Sequence, residues 1–372
     1  MIKPFYLDLT EEEIEKIQIK FGEILRSGNL ILSKYTEDFE HEFSKYIGSK
    51  YAVSLNSCTS ALEALLMIKG AKNRKVAVPT NTNFATVAAI IKAGGIPIYM
   101  DMTPEYFVPD MDILKYTIKK HSEINGVVWV HVGGIIAPDF EEIAELCRSK
   151  NLFLIEDSAH AHGSKMNGIH AGNFGDGGAF SFFPTKVMTT IEGGMVTTNN
   201  SEDAKSIKSI RNQGKRAGNY GGLHHDFGNS WRMSEIQAYM GTVQLAKLDK
   251  MIAQRANIVN AFIPALKSGG IDYCDISHMQ KASLYKFIIK FKNNCTIENL
   301  KEQFKQDGVI LGGGVYDIPC HRQPVFQHIS FDSEDVKIAD KFCPKHICPP
   351  ITSGMTKKDA DIIIAAIQKY VQ

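Results

Sequence analysis

Between Tyr51 and Asp157 the chain alternates short apolar runs with segments of helical periodicity, and this restricts the fold more than any other feature. Residues 51–55, 76–78, 98–100, 126–132 and 152–155 read as strands, and 84–92, 111–120 and 140–149 as helices. The strands are apolar throughout rather than alternating, as expected when both faces of a sheet are covered. Strands that take turns with helices in this way predict an α/β fold with a doubly wound, mainly parallel sheet. In such sheets ligands bind beyond the carboxyl ends of the strands.

Ahead of this region, Thr10 and Glu13 have capping-box spacing and open a helix through about residue 25. Tyr35, Phe39, Phe43 and Ile47 then recur every four residues, one apolar stripe of a second helix that Gly48 ends. Behind it, residues 200–230 are polar and glycine-rich and read as a long functional loop. Residues 233–262 read as one long helix, and 264–270 as a boundary. A strand over 285–291 and helices over 297–306 and 357–370 complete a smaller α+β unit. The expected division is a large domain over 1–250 and a small C-terminal domain over 251–372.

The residues with chemistry fall at the ends of the predicted strands. The apolar run 179–183 delivers Lys186, and a second apolar run follows at 195–198. A lysine between two buried strands is partly desolvated, which lowers its pKa and frees the amine for a Schiff base with an aldehyde cofactor. Taken alone, it reads as a surface lysine in a hairpin turn. Three other stretches supply the rest of a cofactor site. Ser57, Cys58 and Thr59 stand between a strand and a helix, where N–H groups and hydroxyls suit a phosphate; an ordinary N-cap has the same appearance. Asp157 ends a buried strand, where it either caps a helix or pairs with a protonated pyridine nitrogen. His160 follows it and is placed to face the cofactor ring, whereas His162 packs. Ser181, on the strand leading to Lys186, is a second hydroxyl for the phosphate. A phosphate cradle, a ring-nitrogen carboxylate and a Schiff-base lysine are together what a pyridoxal 5'-phosphate (PLP) enzyme needs.

With these motifs the chain resembles, nearly end to end, the DegT/DnrJ/StrS family of PLP-dependent sugar aminotransferases of fold type I. The resemblance is carried by Glu156-Asp157-Ser-Ala-His160-Ala-His-Gly163 and by Phe180-Ser181-Phe182-Phe183-Pro-Thr-Lys186. Glu192-Gly193-Gly194, Arg211-Asn212-Gln213-Gly214 and Trp231-Arg232-Met233-Ser234-Glu235 extend it. It implies Lys186 as Schiff-base residue and proton shuttle, Asp157 at the ring nitrogen and His160 near the phenolic oxygen. It also implies Ser181, Cys58 and Thr59 at the phosphate. Cys58 departs from the family's usual glycine. Asn83 stands where members place an aromatic ring over the cofactor, so Phe84 next door is expected to substitute. Ser230, with Asn229 beside it, stands where members carry an asparagine that reaches the phosphate of the neighbouring subunit. A homodimer with shared active sites is therefore implied, with residues 211–230 either crossing to the partner or forming a surface segment.

The reaction implied is a two-stage, ping-pong transfer of an amino group from an amino acid, with L-glutamate as expected donor, to a keto sugar expected to be nucleotide-linked. A sugar dehydratase of the same family would carry histidine in place of Lys186. A PLP-binding regulator is the other alternative, but no helix-turn-helix or basic patch supports it. The stretch after the first strand, 56–60, is not the glycine-rich turn of a nicotinamide dehydrogenase. His224, His225, Lys215, Tyr316 and His321 are candidate sugar contacts by position and polarity, and His131 reads as a core histidine.

Net charge is +1 over 372 residues, so bulk electrostatics point to no nucleic-acid or membrane partner. Seven scattered cysteines without metal-ligand spacing fit free thiols in a cytoplasmic protein that holds no metal. The start lacks the apolar core of a signal peptide.

Overall fold

The computed structural model describes residues 1–216, 222–292 and 295–371. Two helices lead the chain. Helix α1 (Glu11–Ser27) starts on the predicted box, with Thr10 and Glu13 capping each other's backbone, and stops at Gly28 in the left-handed region. Helix α2 (Lys34–Ile47) buries Phe39, Phe43 and Ile47 completely. Each such side chain contributes roughly 1.5–3 kcal/mol of apolar burial.

The alternating region follows the sequence closely. It runs β1 (Tyr51–Leu55), α3 (Cys58–Ile68), β2 (Lys75–Pro79), α4 (Phe84–Lys92), β3 (Ile96–Met100), α5 (Met111–Lys120), β4 (Ile124–Val130), α6 (Phe140–Ser149) and β5 (Phe153–Asp157). A two-residue hairpin, β6 (Lys165–Met166) and β7 (Ile169–His170), precedes β8 (Gly177–Ser181) and β9 (Gly194–Thr198). Seven strands form one sheet in the order β1-β9-β8-β5-β4-β2-β3. Only β9 runs against its neighbours; the other adjacent pairs are parallel. Both faces are covered. On β4, Trp129 packs with Phe140 and Ile143 of α6, and Val128 packs into the opposite cluster with Leu65 of α3 and Val87 of α4. That two-sided burial is why these strands read as continuous apolar runs.

The structure corrects the sequence reading beyond β9. The polar stretch expected as loop begins as helix α7 (Ser201–Arg211), whose Asn200 cap accepts from Glu202 and Asp203. Its narrow apolar stripe, Ala204, Ile207 and Ile210, is diluted by polar residues on the other face. Residues 217–221 of that stretch lie outside the described residues. The expected single helix over 233–262 is two, α8 (Glu235–Leu245) and α9 (Leu248–Ser268). Helix α8 opens on a capping box of Ser234 and Gln237. Helix α9 continues through Pro264, which the sequence marks as a boundary. Its first turns pack Leu248, Met251 and Ile252 against α2 and β8, and later turns pack Ile258, Val259 and Phe262 into a separate C-terminal core. Of the strand expected over 285–291, only β10 (Ile289–Lys290) pairs, with β11 (His346–Ile347). Helices α10 (Ile297–Gln306), α11 (Lys337–Phe342) and α12 (Lys357–Tyr370) complete this part. Among the described residues no helix is long and apolar enough to cross a membrane.

Candidate active site

Sheet register assembles the site. Asp157 ends β5 opposite Ala179 of β8, so the loop after β8 opens beside it. That loop carries Lys186, whose amide donates to the Phe183 carbonyl. Leu55 at the end of β1 pairs with Gly194 at the start of β9, which sets the N-terminus of α3 against the same loop. A cavity of about 280 Å3 lies among these ends. Ser57, Cys58, Thr59, Asp157, His160, Ser181 and Lys186 all line it. The sequence-predicted residues from four separate stretches thus meet in one place.

Gly194 shows how closely the parts fit. A Cβ there would come within 2.3 Å of the Ser57 carbonyl carbon and oxygen and 2.6 Å of the Cys58 nitrogen. Ser57 caps α3, its hydroxyl accepting from the Ser60 amide at 3.1 Å. The free N–H groups of the first helical turn therefore open on the cavity, an arrangement suited to an anion. Burial pushes the Cys58 thiol well above its ordinary range, so it stays protonated.

Asp157 is buried, with one donor on each oxygen: the Thr86 hydroxyl at 2.7 Å and the Ala159 amide at 3.1 Å. Burial raises its pKa, against those two hydrogen bonds and the charge of Lys186. A buried carboxylate facing a cavity, with no cation in contact among the described residues, is suited to a protonated heterocyclic nitrogen. His160 is neutral, because burial and the nearby Lys186 lower its pKa well below the ordinary value. Its Nδ1 accepts from the Gly133 amide at 3.2 Å, so Nε2 carries the proton and donates to the Tyr316 hydroxyl, 3.2 Å away. The half-buried Lys186 holds its Nζ 4.6 Å from the centre of the Tyr285 ring, which also lies against His160. Burial alone would raise the Tyr285 phenol; the charges of Lys186 and Lys286 lead the groups that outweigh it and hold the pKa below the ordinary value.

One predicted contact lies elsewhere, and the two expected to reach a neighbouring subunit lie outside this chain's cavity. Phe84 does not line the cavity: its half-exposed ring stacks on Phe326 at 5.5 Å, and Asn83 and Ala85 line the wall instead. Phe84 is the first residue of α4, and Asn83 is its cap, accepting from the Ala85 amide. Asn229 and Ser230 are exposed and lie outside this chain's own cavity. Asn229 exchanges backbone hydrogen bonds with Ile210 and Gln213, and the Ser230 hydroxyl accepts from Arg232. Of the candidate sugar contacts, Tyr316 lines the cavity, whereas His321 is buried between Thr80 and Asp340. The exposed His224 hydrogen-bonds the Gln213 carbonyl through Nδ1. His131 is a core histidine, bonded to Glu156 at 2.9 Å. Glu156 in turn accepts from Gly172, Phe174 and Gly175 and pins the turn before β8. Among the described residues no cluster of three or more metal-ligating side chains occurs, and none of the seven cysteines forms a disulfide.

Sequence reasoning passed over Thr86 and Tyr285 as site residues. Thr86 lies one turn into an apolar helix, and Tyr285 is 99 positions (285 − 186) beyond Lys186. No local pattern joins either to the site.

Solved structures of the same fold are aminotransferases. TlmJ from Streptoalloteichus hindustanus superimposes with a TM-score of 0.89 over 99% of this chain and 98% of its own, at 24% identity. PseC of Helicobacter pylori, an aminotransferase involved in pseudaminic acid biosynthesis, gives 0.89 over 99% and 98% at 23%. Residues 10–368 match the DegT/DnrJ/EryC1/StrS aminotransferase family, and the chain belongs to it. It is an aminotransferase. Among curated relatives, Uncharacterized protein MJ1066 of Methanocaldococcus jannaschii is 31% identical over all of this chain and 97% of its own. GDP-perosamine synthase of Caulobacter vibrioides is 29% identical over 91% of each. The family is PLP-dependent, and structures of Spr1654 from Streptococcus pneumoniae represent PLP and PMP forms.

Proposed function

We propose that this enzyme uses PLP to move an amino group from an amino acid, L-glutamate first among candidates, to a keto sugar carried on a nucleotide. The observation that carries this reading is one cavity faced by the Asp157 carboxylate, the Lys186 amine and the open first turn of α3. GDP-perosamine synthase and the relative named dTDP-3-amino-3,4,6-trideoxy-alpha-D-glucose transaminase, from Micromonospora megalomicea at 26% identity, support a nucleotide-sugar acceptor.

The residues present fit the cofactor. Asp157, an acid lacking a cation in contact, would pair with the ring nitrogen, and Thr86 and Ala159 fix its plane. The α3 amides with the Ser57, Thr59 and Ser181 hydroxyls would take the phosphate. Bound there, PLP supplies an electron sink for charge developing at the substrate carbon. Lys186 moves the proton, receiving it as a free amine and returning it as an ammonium. The Tyr285 ring stabilises that ammonium and limits where its Nζ can swing. His160, locked neutral between Gly133 and Tyr316, presents an orienting group with no charge of its own.

We place the enzyme in the cytoplasm as a homodimer. Phe227 is 97% exposed, and Leu223, Ile191 and Phe183 are also exposed, more apolar side chain than a monomer's loops favour. In that assembly Asn229 or Ser230 of one subunit would reach the phosphate of the other. The experiment is steady-state kinetics with L-glutamate and a panel of nucleotide-linked keto sugars. Parallel double-reciprocal lines support the two-stage transfer. Intersecting lines refute it, and a panel with no acceptor refutes the sugar assignment.

A further inference from the structure

A second cavity of about 310 Å3 adjoins the first and shares His160 and Tyr316 with it as walls. Its other lining includes Arg255, Tyr285, Lys286 and the three glycines at 312–314. Among the described residues no aspartate or glutamate lines it. Two cations therefore face one space without a carboxylate.

Arg255 is 6% exposed. Its Nη1 donates to the Leu284 and Ile351 carbonyls at 3.1 and 2.7 Å, which fixes the guanidinium in place. Its Nε is buried and has no acceptor among the described residues. Burial lowers the Arg255 pKa to about 10, which leaves it charged at neutral pH. A buried guanidinium bonded to carbonyls is incompletely compensated, and an anion in the cavity that Arg255 lines would complete it. Lys286 donates to the Gly313 carbonyl at 3.0 Å and lies 5.5 Å from the Tyr285 ring centre. The glycines keep the space open: a Cβ on Gly312 would come within 3.2 Å of the Lys286 Nζ. Asp317, behind Gly314, lies 3.9 Å from His346 and 3.7 Å from Lys301.

The dividing wall gives this cavity its relation to the chemistry. The Tyr285 ring lies near both Lys186, at 4.6 Å from its centre, and Lys286, at 5.5 Å. A substrate whose reacting carbon lies beside Lys186 needs only to extend past His160 and Tyr316 to enter the second cavity. We propose that Arg255 and Lys286 form an anion subsite that holds a carboxylate or phosphate of the substrate while its reacting carbon is presented to Lys186. This rests on the transaminase reading above, and it names how that site recognises charge. The shared chemistry is a doubly hydrogen-bonded oxyanion; an amino-acid donor would supply it as carboxylate and a nucleotide-linked acceptor as phosphate.

Calorimetric titration of the PLP-treated protein with 2-oxoglutarate, and separately with UDP, tests the subsite without turnover. At least one probe binds the wild type, and Lys286→Gln weakens it about tenfold or more, the loss of one charge-assisted hydrogen bond. Lys286→Arg retains the binding. Arg255→Lys, which keeps the charge but loses the fork, weakens the same probe. Weakening confined to 2-oxoglutarate assigns the subsite to the donor, and weakening confined to UDP assigns it to the acceptor. Binding of neither probe to the wild type, or equal binding to wild type and Lys286→Gln, overturns the proposal. A wild type that binds a probe yet transfers no amino group refutes the transaminase reading and leaves the subsite standing.

Discussion

Asp157 is held where its ionised form is costly. Burial raises its pKa, and two neutral donors, with Lys186 and His131 at longer range, oppose that without cancelling it. A cationic ring nitrogen would relieve the cost, and the same pairing would keep the ring electron-deficient. Asp157→Asn keeps the shape and removes the charge. It is expected to lower kcat about 10²–10³-fold, the usual cost of losing one preorganised electrostatic contact, in a protein that still takes up PLP. Stopped-flow rates with L-glutamate check this. His162 gives a second prediction at this scale. It is buried against Phe180 and Phe182, and burial lowers its pKa to about 3. The unfolded chain takes up a proton near pH 6.5, and the folded chain does so only near 3. Between those values the unfolded state binds more protons, so acid favours unfolding and stability rises with pH. The loss from His162 amounts to about 2 kcal/mol on going from pH 7 to 5. His162→Gln should flatten the fall in denaturation midpoint over that range, whatever its effect at pH 7. An unchanged slope would contradict the assignment. Residue identities were legible where a motif stayed local, as with Asp157, His160 and Lys186. They were illegible where contact crosses the chain: Tyr285 reaches His160 from the C-terminal part, and Tyr316, legible as a polar candidate, gave no sign of its bond to His160.

The strand ends are what bring the site together, and Gly194 is a tight joint between two of the elements. It starts β9 while packing on the Ser57–Cys58 peptide at the head of α3. Gly194→Ala would force that peptide away by more than a side-chain shift can absorb. The expected result is a stability loss of about 1–3 kcal/mol and weaker PLP binding. Chemical denaturation and a PLP titration measure the two effects, and a variant that keeps both wild-type values refutes the packing argument. The strands and helices from Tyr51 to Asp157 were legible because burial on both sheet faces writes itself as uninterrupted apolar runs. Helix α7 was not, because polar residues break up its apolar stripe. Helix α9 was misread at Pro264, where tertiary packing of Phe262 and Leu266 carries the helix past a residue that ordinarily ends one.

For the whole molecule, the proposed homodimer would cover the exposed Phe227, Leu223 and Ile191. Light scattering should give about twice the 41.3 kDa chain mass. A Phe227→Asp variant should shift it toward the monomer and lose activity with it. A monomeric wild type would remove the shared-site arrangement. Such assembly is invisible in an apolar count of 44%, because interface residues and core residues contribute to it alike.

The central proposal is that Lys186 would hold PLP in the cavity beside Asp157 and move the proton while an amino group passes from the donor to the cofactor. The most direct test is the visible spectrum of the PLP-treated protein, wild type and Lys186→Ala, before and after L-glutamate. The account predicts a yellow, lysine-linked band in the wild type that L-glutamate bleaches to the PMP form. It predicts no lysine-linked band in Lys186→Ala. A wild type that stays colourless with PLP, or a variant whose band matches the wild type's, would contradict it.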